Sequence, residues 1–217
     1  MVTTTADFAG SERRVLPAHP SESDAASVAR YLASFEWPMQ NKEAFERIVA
    51  QGVSLWLEIL CLVPQRSDRG QLLELGSPPF HITLLLQRFR NYELTLTGAA
   101  ADGRARIQQA YVSSAYAERH TFDCVCFDVE REPFPFPDNA FDVVMWCEVI
   151  EHLNENPVFT LSEIHRVLKP GGAVVISTPN VRAPAGLGSV TREMLRCGGP
   201  RACRLRAGPA AGSPPRP

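Results

Sequence analysis

Hydrophobic positions along the chain first recur at helical spacing and then, after Gly70, fall into short runs separated by turn residues. Ser-Glu-Ser-Asp at 21–24 offers N-cap oxygens and predicts a helix over Ala25–Phe35. A second helix is predicted over Asn41–Leu62, opening on an Asn cap and stopping before Pro64. Its positions Phe45, Ile48, Val49, Val53, Trp56, Leu57 and Leu60 make one apolar face. From Gly70 the pattern predicts strands at Gln71–Leu75, Tyr92–Thr97, Phe122–Phe127, Phe141–Cys147 and Ala173–Ser177. Helices are predicted between them at Ile82–Arg90, Ala105–Glu118 and Pro157–Leu168. Alternation of this kind belongs to a parallel sheet covered by helices on both faces. The expected architecture is therefore α/β and doubly wound, with a mainly parallel sheet of about five strands behind an N-terminal helical cap.

The flanks divide the chain further. Residues 1–20 mix small and polar types without period and read as a disordered tail, 21–69 as the helical cap and 70–181 as the α/β domain. Residues 182–217 are rich in Arg, Gly and Pro with one acid, Glu193, and no apolar periodicity. Such a segment buries too little surface to offset its ordering entropy and reads as a second disordered tail.

Bulk composition adds mostly exclusions. A formal net charge of -2 gives no overall attraction to nucleic acid or to an anionic membrane. No apolar run is long enough to cross a bilayer and Met1–Ser11 has no signal-peptide pattern, so the expectation is a soluble, cytoplasmic chain without a membrane partner. Of six cysteines, Cys61, Cys124, Cys126 and Cys147 sit in apolar runs and read as buried thiols, and no spacing suggests zinc. Oligomeric state is not readable.

Four segments carry candidate chemistry. Leu72-Leu73-Glu74-Leu75-Gly76-Ser77-Pro78-Pro79 is a strand ending in an acid and a glycine turn before a helix. A glycine there permits close approach of a ligand, and a helix start offers N–H groups to a carboxylate. Only Gly76 stands where a full glycine-rich loop would place three glycines. Asp128 and Val129 follow the strand ending at Phe127, on the rim where open α/β sheets bind ligands; Asp128 can accept from an adenine amino group or serve only as a turn residue. Phe141-Asp142-Val143-Val144-Met145-Trp146-Cys147 leads into Glu148, Glu151 and His152, which share one face if helical. His152 is the candidate base with Glu148 beside it; alternatively Glu148 is a cap and the other two are solvated. The fourth segment, Glu163 to Asn180, contains Leu168-Lys169-Pro170-Gly171-Gly172 and Ile176-Ser177-Thr178-Pro179-Asn180. His81, His120 and His165 read as structural or surface residues.

The order of these segments resembles the class I, Rossmann-like S-adenosylmethionine-dependent methyltransferases, particularly the small-molecule group that includes ubiquinone-biosynthesis O-methyltransferases. The likeness is close over Phe122–Asn180 and looser over Gln71–Thr97. It implies S-adenosylmethionine as cofactor, with Glu74, Gly76 and Ser77 at its methionine end and Asp128 and Val129 near adenine. It also implies that Trp146–Glu148, Cys147 included, line the methyl-transfer site. The implied activity is methyl transfer to a small-molecule acceptor, a hydroxyl. Two departures stand out: Thr97-Gly98 occupies the position of the family's ribose-binding acid, with Asp102 several residues on, and strands six and seven are not visible after Asn180. The composition there resembles a frame-shifted reading of GC-rich DNA. The alternatives are a truncated, non-catalytic cofactor-binding protein and an RNA 2'-O-methyltransferase. The Glu148, Glu151, His152 spacing is similar to the metal motif of small-RNA 2'-O-methyltransferases, but no histidine follows Asn180, and no metal is expected.

Overall fold

The computed structural model describes residues 21–37, 42–99, 103–179, 190–198 and 202–203. Helix α1 spans Glu22–Ala33 and opens on a capping box in which Ser21 Oγ accepts from Asp24 N and the Asp24 carboxylate accepts from Ser21 N. Helix α2 spans Lys42–Leu62. The buried Arg90 guanidinium closes its far end, donating to Leu60 O at 2.6 Å and Val63 O at 3.1 Å. The predicted tail at 1–20, the side chain of Phe45 and Asp102 lie outside the described residues.

Strand β1 is Gly70–Leu75, followed by α3 at His81–Phe89 and β2 at Tyr92–Gly98. The next segment overturns the predicted helix over Ala105–Glu118. Residues Arg106–Ser113 form β3, which turns back at Ala117 into β4 at Glu118–Cys126, the two paired antiparallel. Arg106, Gln108 and Ala110 face solvent while Tyr111 and Ser113 are buried, a two-residue period that only packing against α1 reveals. Along β4, Glu118, His120, Phe122, Cys124 and Cys126 alternate inward. Strand β5 spans Phe141–Cys147, α4 Val158–Val167 and β6 Leu168–Pro179.

A second correction concerns the chain after Asn180. Val190–Gly198 forms β7, antiparallel to β6 from Ala173↔Arg196 to Pro179↔Val190, and Ala202–Cys203 adds the short β8. Ladder bonds are made by the main chain, so the open edge of β6 can recruit a strand without an apolar sequence pattern. Among the described residues the sheet therefore has eight strands rather than about five, in the order β3-β4-β2-β1-β5-β6-β7-β8. Strands β1, β2, β4, β5 and β6 run parallel, as a doubly wound α/β fold requires.

One core fills the face under α1, α2 and α3, where Tyr31, Leu60, Leu84, Leu94, Phe122 and Met145 meet. The opposite face buries Leu73, Phe134, Val144, Trp146, Ile164 and Val174 under α4. Arg166 of α4 pins the proline-rich loop there, donating to the carbonyls of Phe134 and Phe136 and pairing with Glu163 and Asp138. At the N-terminal rim Asp142 accepts from Lys169 Nζ and Gln71 N, each at 2.8 Å. Among the described residues no helix is long and apolar enough to cross a membrane.

Candidate functional site

Chain order along the sheet reverses between β1 and β5, so the loops leaving those strands part and leave a crevice at their carboxyl ends. Two adjoining cavities open there. The smaller, about 190 Å³, is walled by Glu74 to Pro79 of the β1 loop, by His81 and Ile82 of α3, by Trp56 of α2 and by Met145, Cys147 and Glu148. A larger cleft of about 680 Å³ runs from Gly76 and Pro78 past Gly98 and Ala99 to Phe127–Glu130 and Val149–Asn154. Its volume lies within the range of small-molecule sites. Gly76, Pro78 and Glu148 belong to both.

The β1 turn is built for close approach. Gly76 has φ +74°, and a Cβ there would stand 2.5 Å from Val149 Cγ2, so the position needs glycine on both counts. Ser77 locks the turn to β2: its N–H donates to Thr97 O at 2.8 Å, its Oγ donates to Glu74 O, and Thr97 N donates back to that Oγ. Glu74 itself is buried at 5% exposure with Thr83 Oγ1 donating to its carboxylate at 2.7 Å. Burial without a cation pushes its carboxyl up to about 7, against the smaller opposing effect of the Thr83 and Ser77 hydroxyls.

Glu148 leaves β5 in a left-handed conformation, φ 55°, that few non-glycine residues adopt. Ser177 of β6 holds it twice, accepting from Glu148 N at 2.9 Å and donating its Oγ to Glu148 Oε1 at 2.8 Å. Burial raises the Glu148 carboxyl above its ordinary range, Ser177 pulls the other way, and the neighbouring Glu151 adds to the rise. The segment after it is a single 3-10 turn, Ile150–His152, so Glu148, Glu151 and His152 do not share an α-helical face. Glu151 and His152 are exposed, and His152 reaches the rim of the larger cleft.

Of the residues singled out in the sequence, Glu74, Gly76, Ser77, Cys147 and Glu148 line the smaller cavity and Gly76, Asp128, Val129, Glu148 and His152 the larger. Asp128 already accepts from Glu130 N at 2.9 Å, shaping its own turn. Cys147 has its thiol pushed up to about 12 by burial and donates to Val175 O. Trp146, expected beside it at the site, is fully buried in the core under α4, because alternate residues of a strand face opposite sides. Sequence reasoning did not find Trp56, Ile82, Gly98, Ala99, Ile107 and Asn154, which arrive from elements distant in the chain. His81 was read as structural, yet it walls the smaller cavity. Among the described residues neither cavity lining contains Lys or Arg, while Glu74, Asp128, Glu130 and Glu148 contribute carboxylates. Among the described residues no cluster of His, Cys, Asp and Glu has the geometry of a metal site.

Open α/β sheets bind their ligands in such a crevice at the switch point. Residues 73–176 match the family model described as a methyltransferase domain. A protein of Mycolicibacterium smegmatis named as a probable S-adenosylmethionine-dependent methyltransferase is 52% identical over 46 residues, 21% of this chain and 18% of that relative. A methyltransferase of Schizosaccharomyces pombe, named as uncharacterized, is 55% identical over 40 residues, 18% of this chain and 14% of that relative. The matched stretches thus span less than a fifth of those curated relatives. The solved structure of a SAM dependent methyltransferase from Archaeoglobus fulgidus is 18% identical, covering 60% of this chain and 54% of that one with a TM-score of 0.44. Residues 73–176 carry a class I S-adenosylmethionine-dependent methyltransferase domain, and S-adenosylmethionine is that family's cofactor.

Proposed function

We propose that the chain transfers a methyl group from S-adenosylmethionine to a small-molecule acceptor, a hydroxyl, at the junction of the two cavities. The carrying observation is Glu148, common to both cavities, half-buried and held in a left-handed turn by Ser177. The residues fit the cofactor: the larger cleft has room for a nucleoside, Gly76 permits close approach, and Asp128 and Val129 stand on the rim. When bound, the cofactor supplies an electrophilic methyl on sulfonium. The chain's own part is to align the acceptor and take its proton. Glu148, its carboxyl raised by burial, receives that proton, while the exposed His152 passes it to solvent. Among the described residues, four carboxylates and no Lys or Arg along the lining favour an uncharged acceptor over a nucleic acid. Reduced Cys61, Cys124, Cys126 and Cys147 support a cytoplasmic setting.

Calorimetric titration with S-adenosylhomocysteine is expected to give a dissociation constant on the order of micromolar. Release of S-adenosylhomocysteine in a hydroxyl-acceptor screen is expected to fall about 10²- to 10⁴-fold in Glu148→Gln with cofactor affinity kept. A second reading, a non-catalytic cofactor-binding protein, draws on Thr97-Gly98, which stand where the family's ribose acid would be. Binding without turnover on any acceptor class would favour it, and no binding would remove both.

A further inference from the structure

Every described residue lining the smaller cavity belongs to the matched stretch 73–176 except one, Trp56 of α2. Val49, Val53, Leu57 and Leu60 of that helix are buried in the core, and Trp56 stands beside them on the cavity wall. Its seat is made by a glycine one turn earlier. A Cβ on Gly52 would stand 2.5 Å from Trp56 Cζ2 and 2.8 Å from each of its bonded neighbours, Cε2 and Cη2, so it would land on the face of the ring. The indole therefore lies flat across the Gly52 backbone, as a helical side chain leaning back over the preceding turn does. A glycine inside a helix weakens it, and this one leaves the space the ring fills. The ring is braced a second time by the His81 imidazole, stacked on it at 4.4 Å and 11°. Trp56 is thus a fixed wall rather than a swinging side chain. With Ile82 and Met145 it gives the cavity an apolar part, while Glu74 and Glu148 supply carboxylates. The enclosed volume, about 190 Å³, is little more than the roughly 150 Å³ of an apolar cavity that holds one benzene molecule. One six-membered ring with a hydroxyl-bearing carbon fits it, and two fused rings overfill it.

We infer that Trp56 is the specificity-determining residue of the acceptor site: seated on Gly52, it limits the part of the acceptor that enters the smaller cavity to a single ring carrying the hydroxyl. Glu148 takes the proton, and Trp56, which exchanges none, sets which acceptors reach it. The inference rests on the methyltransferase reading of the cleft, with the cofactor in the larger cavity and the acceptor in the smaller.

The test uses two alcohols that differ by one fused ring, benzyl alcohol and 2-naphthalenemethanol, added to the full chain with S-adenosylhomocysteine present. Binding is followed on the Ile82 methyl signals by ¹³C NMR, which needs no turnover. The wild-type chain is expected to bind benzyl alcohol and to bind 2-naphthalenemethanol about tenfold more weakly. Trp56→Ala removes the wall and is expected to strengthen 2-naphthalenemethanol by about ten- to a hundredfold while benzyl alcohol weakens. Trp56→Phe keeps a smaller ring against Gly52 and His81 and should fall between the two, so the order is still read if the alanine variant unfolds. S-adenosylhomocysteine affinity should be the same in both variants. A merely structural role for Trp56 would weaken the two alcohols together and keep their ratio, and that result overturns the inference. So does a wild-type chain whose Ile82 signals respond to neither alcohol, or to both equally. Failure of S-adenosylhomocysteine to bind removes the cofactor reading by itself, and the ranking of the two alcohols at Ile82 in the three chains still decides what Trp56 does.

Discussion

Glu118 in β4, next to the edge strand β3, and Glu74 at the end of β1 are 7% and 5% exposed, yet burial has opposite net outcomes at the two. Around Glu118 the fold gathers Arg88 of α3, Tyr31 of α1 and His120 of β4, the Tyr31 hydroxyl donating at 2.7 Å and Arg88 pairing with the other oxygen. Arg88 also lies 4.3 Å over the Tyr31 ring and 5.0 Å over Tyr116. Burial raises that carboxyl, but the hydrogen bonds from His120 and Tyr31 and the Arg88 charge outweigh it, and the net shift is downward. At Glu74 only hydroxyls answer, and burial wins. A carboxylate with a cation beside it serves the architecture, here by fastening α1 and α3 to the sheet edge. One left with neutral partners on a cavity wall is kept reactive to whatever enters.

The comparison breaks most visibly if Arg88 is removed. Arg88→Met leaves a buried carboxylate without its cation, and stability should fall by about 3 to 5 kcal/mol in urea unfolding. A double variant, Arg88→Met with Glu118→Gln, should recover a large part of that loss. A single variant as stable as the wild type would mean that Glu118 is held by its hydroxyl and imidazole partners alone.

A smaller and pH-dependent effect is expected at Glu74. Its folded-state carboxyl lies near 7 against an ordinary 4.5, so the folded chain binds the proton more tightly than the unfolded one. Its contribution is therefore whole below pH 4.5 and is lost as pH rises through about 7, up to roughly 3 kcal/mol in all. Glu118 has the opposite sign: its contribution is whole above the ordinary carboxyl value and is lost as pH falls through the depressed one. Melting temperatures of Glu74→Gln should match the wild type at pH 4 and exceed it at pH 8. Parallel curves across that range would show that Glu74 is as well satisfied as Glu118.

The two regions also differ in how far the sequence discloses them. Strand β5 was predicted with its observed ends, and α4 and β1 nearly so, because their signals are local: a continuous apolar run, a proline at a helix start, a glycine turn. Gly76, Glu148 and Asp128 fall on strand ends that those signals fix, which brings them to one crevice. The alternation on the Glu118 side is blurred because Gln109 falls on the inward face and Ala110 and Val112 on the outward one, and its buried face exists only once Tyr31, Ser34 and Trp37 lie against it. The same holds for the stack of Trp37 and Trp56 on His81, brought together from three separate parts of the chain, and for β7, whose pairing is a main-chain matter.

Glu148 lies between the two extremes and gives the smallest effect with the sharpest reading. It is half-buried, the Ser177 hydroxyl donates to it at 2.8 Å, and burial already holds it above its ordinary range. Ser177→Ala removes that donor but leaves the main-chain bond from Glu148 N to Ser177 O, so the left-handed turn at Glu148 stays tethered. The loss should be about 1 kcal/mol, the worth of one hydrogen bond at a partly exposed carboxylate. With the donor gone nothing opposes burial from that side, and the Glu148 titration followed by ¹³C carboxyl NMR should move further upward. If Glu148 behaves like Glu118, with charged partners setting its proton affinity, the titration will not move. If it behaves like Glu74, the rise will be accompanied by a shift of any base-dependent activity toward higher pH, since a carboxyl with a higher pKa is deprotonated later.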